Sequence, residues 1–140
     1  MAKNILIVDD EFDVATYLAA ILESNGYSPH TASSVDQGLE MVRKVEPELI
    51  CLDIMMPGES GISLYLKLKQ DPSFVKIPIL IISGVEQVGE FDFRSYVSDE
   101  TVPPPERFLE KPIKVEEFLN VIEQLLSVDS SNSNGNQDNA

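Results

Sequence analysis

Chemically active side chains follow or end four of the short apolar runs in this sequence. In chain order they are Asp9-Asp10-Glu11, Asp53, Ser83 and Lys111. If the runs are strands of one parallel sheet, their carboxyl ends share an edge, and ligands bind there near the point where strand order reverses. The sequence therefore predicts that several carboxylates, a hydroxyl and an ammonium meet in one pocket.

Carboxylates gathered in one pocket repel each other, and a hard divalent cation with oxygen ligands relieves that repulsion. Mg²⁺ suits the site because it needs only one or two protein carboxylates and a phosphate oxygen. With Mg²⁺ and Lys111 drawing negative charge, Asp53 can attack a phosphoryl group as a nucleophile and form an acyl phosphate. The hydroxyl of Ser83 can then donate a hydrogen bond to the phosphoryl group that has arrived.

Apolar runs alternate with longer amphipathic segments, and this order predicts an α/β fold with a parallel sheet covered on both faces. The predicted strands are 4–8, 28–32, 48–53, 77–82 and 106–110. Helical spacing and stop signals predict four helices. The first spans 11–25, and the second begins at a capping box at Ser34 and ends before Pro47. The third spans about 60–70, and the last begins at Val115. The inward stripes are Phe12, Ala15, Leu18 and Leu22 in the first helix and Val115, Phe118, Leu119, Ile122 and Leu126 in the last.

Two segments break this pattern. Over 84–105 the apolar residues follow a helical period only loosely, and Pro103 to Pro105 exclude a helix or a central strand, so we expect at most a short helix. After Val128 the chain has no apolar residue before its final alanine. We therefore predict one folded domain over 1–128 and a disordered polar tail or truncated linker over 129–140.

The bulk composition narrows the classes of function. A length of 140 residues suits one domain, and a net charge of −14 argues against binding of nucleic acid by this chain alone. No apolar run approaches the roughly 20 residues that cross a bilayer, and the N-terminus lacks the features of a signal peptide, so no membrane contact and a cytoplasmic location are expected. The single cysteine, Cys51, lies in an apolar run and is expected in the core.

Four motifs of the sequence resemble the receiver domains of two-component response regulators. They are ILIVDDE, LICLDIMMPGESG, PILIIS and FLEKPI, and together they extend the resemblance over about residues 3–127. The resemblance implies a flavodoxin-like (βα)₅ fold with a five-stranded parallel sheet in the order 2-1-3-4-5. It also implies a phosphorylation-dependent signalling switch rather than a classical enzyme. A sensor histidine kinase or a histidine phosphotransfer protein would supply the phosphoryl group, the downstream protein is unspecified, and homodimerisation on phosphorylation stays open.

The resemblance also implies roles for individual residues. Asp53 matches the phosphoacceptor, Asp10 a direct Mg²⁺ ligand, and Asp9 an acid that acts mostly through metal-bound water. Met55 matches the position that lends a backbone carbonyl to the metal. The remaining matches are the switch hydroxyl Ser83, the phosphate-binding lysine Lys111 with its cis bond to Pro112, and the switch aromatic Phe108, which turns inward on activation.

The chain departs from the family pattern before the fifth strand. It has an acidic, proline-rich stretch where the family usually has a regular fourth helix and a Gly-Ala pair, so an irregular or shortened fourth helix is expected. Because the fourth helix, fifth strand and fifth helix commonly form the output face, an unusual partner surface follows. Gly84 also stands where a residue such as alanine is common, which should leave the phosphoryl pocket open and its loop mobile.

Each motif alone has a simpler explanation. The acidic pair at Asp9 can cap a helix, Asp53 can open a turn, and Lys111 can be a solvated lysine beside a proline. Ser83 can likewise cap the following helix. Their joint occurrence at strand ends on one sheet edge favours the common pocket over these separate explanations.

Two other functions would use part of the same residue pattern. An aspartate-nucleophile phosphatase would carry a second acid two residues after the nucleophile, where this chain has Met55. A degenerate receiver would bind a partner without phosphorylation, although every chemical position here is filled. Whether the chain is a complete protein or a fragment of a larger regulator or hybrid kinase stays open.

Overall fold

Strands and helices alternate along the chain in a computed structural model that describes residues 2–54, 61–84, 102 and 105–138, with side chains to Ser127. In chain order the elements are β1 (Asn4–Val8), α1 (Phe12–Ser24), β2 (Ser28–Ala32), α2 (Val35–Val45), β3 (Leu49–Asp53), α3 (Gly61–Lys69), β4 (Ile79–Gly84), β5 (Arg107–Lys111) and the C-terminal helix (Val115–Asp138).

The five strands form one parallel sheet in the order β2-β1-β3-β4-β5. This confirms the predicted fold class and strand order. From β1 the chain moves first to β2 on one side and then returns to β3 on the other, so strand order reverses between β1 and β3. The carboxyl ends of these two strands therefore flank the crevice in which such sheets bind ligands.

Alternation of side chains along the strands places an apolar cluster on each face of the sheet. One cluster joins Leu6, Ile50 and Ile81 to α2 and α3. The other joins Cys51 and neighbouring strand residues to α1 and the C-terminal helix. All five residues of β3 are buried. Because the interior strands are apolar along their length, the polar side chains of β1 and β3 are confined to the strand ends.

The helical stripes are confirmed except at their first residues. Ala15, Leu18 and Leu22 of α1 are buried, as are Phe118, Ile122 and Leu126 of the C-terminal helix. Phe12 is 79% exposed and Val115 is 42% exposed, so their predicted inward positions are wrong. Each is the first residue of its helix. Each helix begins directly after the loop that leaves the sheet, so its first side chain has less apolar surface to cover it.

The predicted capping box of α2 is confirmed in one of its two hydrogen bonds. Ser34 is the N-cap residue, and its side chain accepts a hydrogen bond of 3.2 Å from the backbone N–H of Gln37. The Gln37 side chain accepts instead from the backbone N–H of Ser33, at 2.9 Å. Both bonds satisfy backbone donors that a helix start leaves without partners.

Two strands lie later in the chain than predicted. β4 spans Ile79–Gly84 rather than 77–82, and β5 spans Arg107–Lys111 rather than 106–110. The chemical residues at these ends are therefore paired within the sheet, with Ser83 in register with Glu110 and Gly84 with Lys111. Pairing holds their backbones more firmly than a loop would.

The C-terminal helix continues to Asp138, so the prediction of a disordered tail is not met over 129–138. A helix that has been nucleated by packed residues adds each further residue at little cost, which allows it to extend through a polar segment. The domain boundary at 128 stays a prediction. None of the helices in the described part of the chain is long and apolar enough to span a membrane.

The acidic, proline-rich stretch lies mostly outside the described residues. Of the range 84–105, the structure describes Gly84, Val102 and Pro105, and the last two are buried. The prediction of an irregular or shortened fourth helix, and of an unusual partner surface there, concerns residues that the structure does not describe.

Substitution of Gly61 by alanine should destabilise the fold. A Cβ atom at this position would lie 2.2 Å from the carbonyl oxygen of Asp53 and 2.8 Å from the Cα atom of Ile54. Both are backbone atoms at the end of β3, so relief requires the strand end to move. We expect Gly61→Ala to lower the free energy of unfolding by about 3 kcal/mol, the upper end for overpacking, in urea denaturation.

Gly26→Ala is the matched control for this substitution. Gly26 has φ = 89°, and its added Cβ would meet no atom within 4 Å. The cost there is conformational strain alone, about 1–2 kcal/mol. A loss for Gly61→Ala no larger than the loss for Gly26→Ala would contradict the steric argument.

Candidate functional site

Three aspartates from two neighbouring strands meet at the reversal of strand order. Asp9 and Asp10 directly follow β1, and Asp53 is the last residue of β3. Each offers a carboxylate oxygen, and these oxygens all lie within 4.8 Å of one another. Asp9 and Asp53 are each only 3% exposed, whereas Asp10 is half-buried. The structure thus brings together the three acids that the strand-end pattern singled out.

Lys111 reaches the same acids from the edge strand β5. Its ammonium lies 3.1 Å from Oδ2 of Asp9 and 3.5 Å from Oδ2 of Asp53, and it also pairs with Oε1 of Glu11. β4 lies between β5 and β3 in the sheet, so the long side chain spans a neighbouring strand to reach the cluster. The side chain is 16% exposed. The site therefore holds a largely buried ammonium among carboxylates.

The acids make the electrostatic environment of this lysine unusual. Burial lowers the pKa of the Lys111 ammonium, but the contacts with Glu11 and Asp9 and the charge of Asp53 outweigh it, so that the pKa is raised overall. Because the folded-state pKa is raised, the stability from this pairing is complete below the ordinary lysine pKa. It is lost only in strongly alkaline solution, as the pH rises through the raised pKa.

The donor atoms suit a hard divalent cation. Oδ1 of Asp9 accepts a hydrogen bond of 2.9 Å from the backbone N–H of Glu11. Its buried Oδ2 is within ion-pair distance of Lys111 but accepts no hydrogen bond among the described residues. Three aspartate carboxylates are grouped here, and the Lys111 ammonium contacts two of them, Asp9 and Asp53. The remaining negative charge and the oxygen donors suit Mg²⁺.

The hydroxyl of Ser83 is a buried polar group of the site. Ser83 is fully buried near the end of β4, and its Oγ makes no hydrogen bond within the described part of the chain. A buried hydroxyl in this state costs free energy, so its retention calls for an explanation outside folding stability.

Phe108 and Met55 are the remaining predicted site residues. Phe108 is half-buried on β5, packs against the cluster on the α2 and α3 side of the sheet, and is in register with Ile81. Met55 lies outside the described residues. The Lys111-Pro112 peptide bond is cis, as the resemblance implied.

Two contacts were not foreseen from the sequence. The first is the pairing of Glu11 with Lys111, which joins residues 100 positions apart. The feature of the sequence that could have indicated it is the position of Glu11 in the acidic run after β1. The hydroxyl of Tyr17 donates a hydrogen bond of 3.2 Å to the carbonyl oxygen of Ile113, 96 positions away. Both contacts join α1 to the segment that carries Lys111.

Comparisons with known proteins find similar sequences and similar folds. A model of the response regulator receiver domain matches residues 5–123. The chain is 41% identical over 84 residues to the phosphate regulon transcriptional regulatory protein PhoB of Pseudomonas aeruginosa, a match that covers 60% of this chain and 37% of that protein.

Two solved structures give the same result at the level of the fold. NtrX from Brucella abortus superposes with a TM-score of 0.82 at 29% identity, over 98% of this chain and 29% of that one. The signal receiver domain of a signal transduction histidine kinase from Syntrophus aciditrophicus gives a TM-score of 0.75 at 28% identity, over 90% and 91% of the two chains. The present chain thus spans well under half of PhoB or NtrX and most of an isolated receiver domain.

Mg²⁺ should stabilise the folded chain through the three aspartates. A ligand that binds only the folded state at ten times its dissociation constant adds about 1.4 kcal/mol to the free energy of unfolding. Urea denaturation in MgCl₂ and in NaCl of equal ionic strength measures this gain. Asp10→Asn should reduce it, whereas Asp36→Asn, at an exposed acid in the first turn of α2, should leave it intact. An equal gain in NaCl would contradict the prediction.

Removal of the Ser83 hydroxyl should stabilise the unphosphorylated chain. Ser83→Ala removes a buried hydroxyl that makes no hydrogen bond among the described residues. We therefore expect the free energy of unfolding to rise by about 1 kcal/mol in urea denaturation. Ser34→Ala is the control, because it removes the N-cap hydrogen bond from the backbone N–H of Gln37. It should lower the free energy of unfolding by about 1 kcal/mol. Equal losses in both variants would show that the Ser83 hydroxyl has a stabilising partner.

Proposed function

Because the chain belongs to the response regulator receiver domain family, we propose that it is a phosphorylation-dependent switch in which Asp53 accepts the phosphoryl group. The observation that carries the proposal is the position of Asp53. Its nearly buried carboxylate lies at the strand reversal, grouped with Asp9 and Asp10 and 3.5 Å from the Lys111 ammonium.

The reaction needs only a nucleophile and positive charge at this position. A carboxylate oxygen of Asp53 attacks phosphorus, and the bond from phosphorus to the donor nitrogen or oxygen breaks with its electron pair leaving on the donor. Phosphohistidine is the donor that the family implies, and acetyl phosphate is a small substitute that releases acetate. The product is an acyl phosphate on Asp53.

Lys111 supplies one positive charge to this step. A lysine is protonated at neutral pH, and the neighbouring acids raise its pKa further. Its contact with Asp53 supports a role beside the phosphoryl oxygens. Asp10, Asp53 and the backbone carbonyl of Met55 would hold Mg²⁺, with Asp9 acting through bound water, and the bound ion would add positive charge beside the phosphoryl oxygens.

The same pocket offers a route from phosphorylation to a change in surface. The Ser83 hydroxyl, which makes no hydrogen bond among the described residues, can donate one to a phosphoryl oxygen on Asp53. Ser83 and the edge strand β5 are paired in the sheet, and Phe108 lies on β5 against the neighbouring core. A shift of β4 toward the phosphoryl group would then alter the packing of Phe108 and the surface around the fourth helix, β5 and the C-terminal helix.

The partners follow from this chemistry and from the charge of the chain. The donor is a sensor histidine kinase or a histidine phosphotransfer protein, and the recipient of the signal is a downstream protein. A net charge of −14 disfavours direct contact with nucleic acid. The match to PhoB covers 37% of that protein, so the transcriptional regulation in its name is not assigned to this chain.

Intact mass measurement after incubation with Mg²⁺ and acetyl phosphate tests the proposal. The wild-type chain should gain one phosphoryl group, Asp53→Asn should gain none, and the control Asp36→Asn should behave as wild type. Loss of the nucleophile removes the reaction itself, so the expected difference is complete rather than partial.

Two results would contradict this proposal. A folded wild-type chain that gains no phosphoryl group would favour a receiver that binds partners without phosphorylation. Turnover of many phosphate esters per chain would favour an aspartate-nucleophile phosphatase.

A further inference from the structure

Glu11 occupies the start of α1 without capping it. It is the N-cap residue, yet its side chain makes no capping hydrogen bond to the helix. Its backbone N–H donates to Oδ1 of Asp9, and its carboxylate turns to the Lys111 ammonium. The contact of the Glu11 carboxylate with a residue of the site, rather than with its own helix, suggests a function in the site.

Lys111 has as many carboxylate neighbours as it has donors. An ammonium carries three N–H groups, and it faces carboxylate oxygens of Glu11, Asp9 and Asp53. A phosphoryl oxygen on Asp53 would be a further acceptor, and it would compete with these partners for the ammonium.

The partner most easily displaced is Glu11. The side chains of Asp9 and Asp53 are 2% and 3% exposed, so neither can turn to water, whereas that of Glu11 is 57% exposed. A carboxylate that leaves an ion pair for water loses little, because exposed pairs contribute little to stability.

We propose that Glu11 is a positioning residue that holds Lys111 in the resting site and gives way to the phosphoryl group, so that it slows phosphorylation of Asp53. The inference rests on the proposed function. The exchange of partners by Lys111 involves its side chain alone. The hydrogen bond from Tyr17 to the carbonyl oxygen of Ile113 keeps the backbone beyond Lys111 against α1.

Phosphorylation rates of three 140-residue chains test this role. Wild type, Glu11→Gln and Asp13→Asn are incubated with Mg²⁺ and a series of acetyl phosphate concentrations. Both variants remove one negative charge from an exposed residue at the start of α1. They therefore match in their long-range effect on an anionic donor. We expect Glu11→Gln to react about two- to fivefold faster than wild type, the range for loss of an exposed ion pair, and faster than Asp13→Asn.

Two further measurements separate positioning from a general disturbance of the site. After donor removal, the acyl phosphate should decay at the same rate in all three chains, because Glu11 has already released Lys111. In chains labelled with ¹⁵N-lysine and not phosphorylated, the Nζ resonance of Lys111 should shift in Glu11→Gln and stay unchanged in Asp13→Asn. The last readout does not depend on activity.

The outcomes distinguish this inference from the proposed function. If Glu11→Gln is phosphorylated no faster than Asp13→Asn, the role of Glu11 is overturned while the switch stands. The same holds if the acyl phosphate of Glu11→Gln decays faster by the same factor as it forms. If Glu11→Gln leaves the Lys111 resonance unchanged, the contact is absent from solution and the role is likewise overturned. If wild type gains no phosphoryl group, the proposed function fails and takes the role of Glu11 with it.

Discussion

The site depends on a single electrostatic arrangement, in which the Lys111 ammonium faces carboxylates that are almost removed from water. Two carboxylates as buried as those of Asp9 and Asp53 are costly without a neighbouring positive charge. The ammonium reduces that cost, and the acids in turn raise its pKa. Such mutual dependence requires β1, β3 and β5 to keep their relative positions, so the geometry of the sheet decides whether the site exists.

The scaffold meets this requirement by burying apolar side chains on both faces of the sheet. Every residue of β3 is buried, and the two clusters hold the sheet between α2 and α3 on one side and α1 and the C-terminal helix on the other. A firmly packed interior leaves adjustment to the strand ends. Of the residues proposed to respond to phosphorylation, Ser83 lies near the end of β4 and Phe108 lies on the edge strand β5.

Competition for one ammonium links the proposed switch to the proposed role of Glu11. Lys111 supplies positive charge to the phosphoryl group only to the extent that its resting partners release it. Because Glu11 is exposed and the two aspartates are buried, the ease of that release depends on a residue outside the aspartate cluster. The residue after the acidic pair would then tune how readily the chain is phosphorylated without taking part in the transfer.

Local patterns in the sequence were sufficient to predict the strand and helix order, the acids at the strand ends and, through the resemblance, the strand order of the sheet. These features follow from hydrophobic periodicity and from the shared edge of parallel strands, which short stretches of sequence record. The tertiary structure decided the exposure of Phe12, the inclusion of Ser83 and Lys111 within paired strands, and the continuation of the C-terminal helix to Asp138. It also decided that Glu11 reaches Lys111, 100 positions away, because that contact depends on side-chain reach across the folded sheet and no local pattern encodes it.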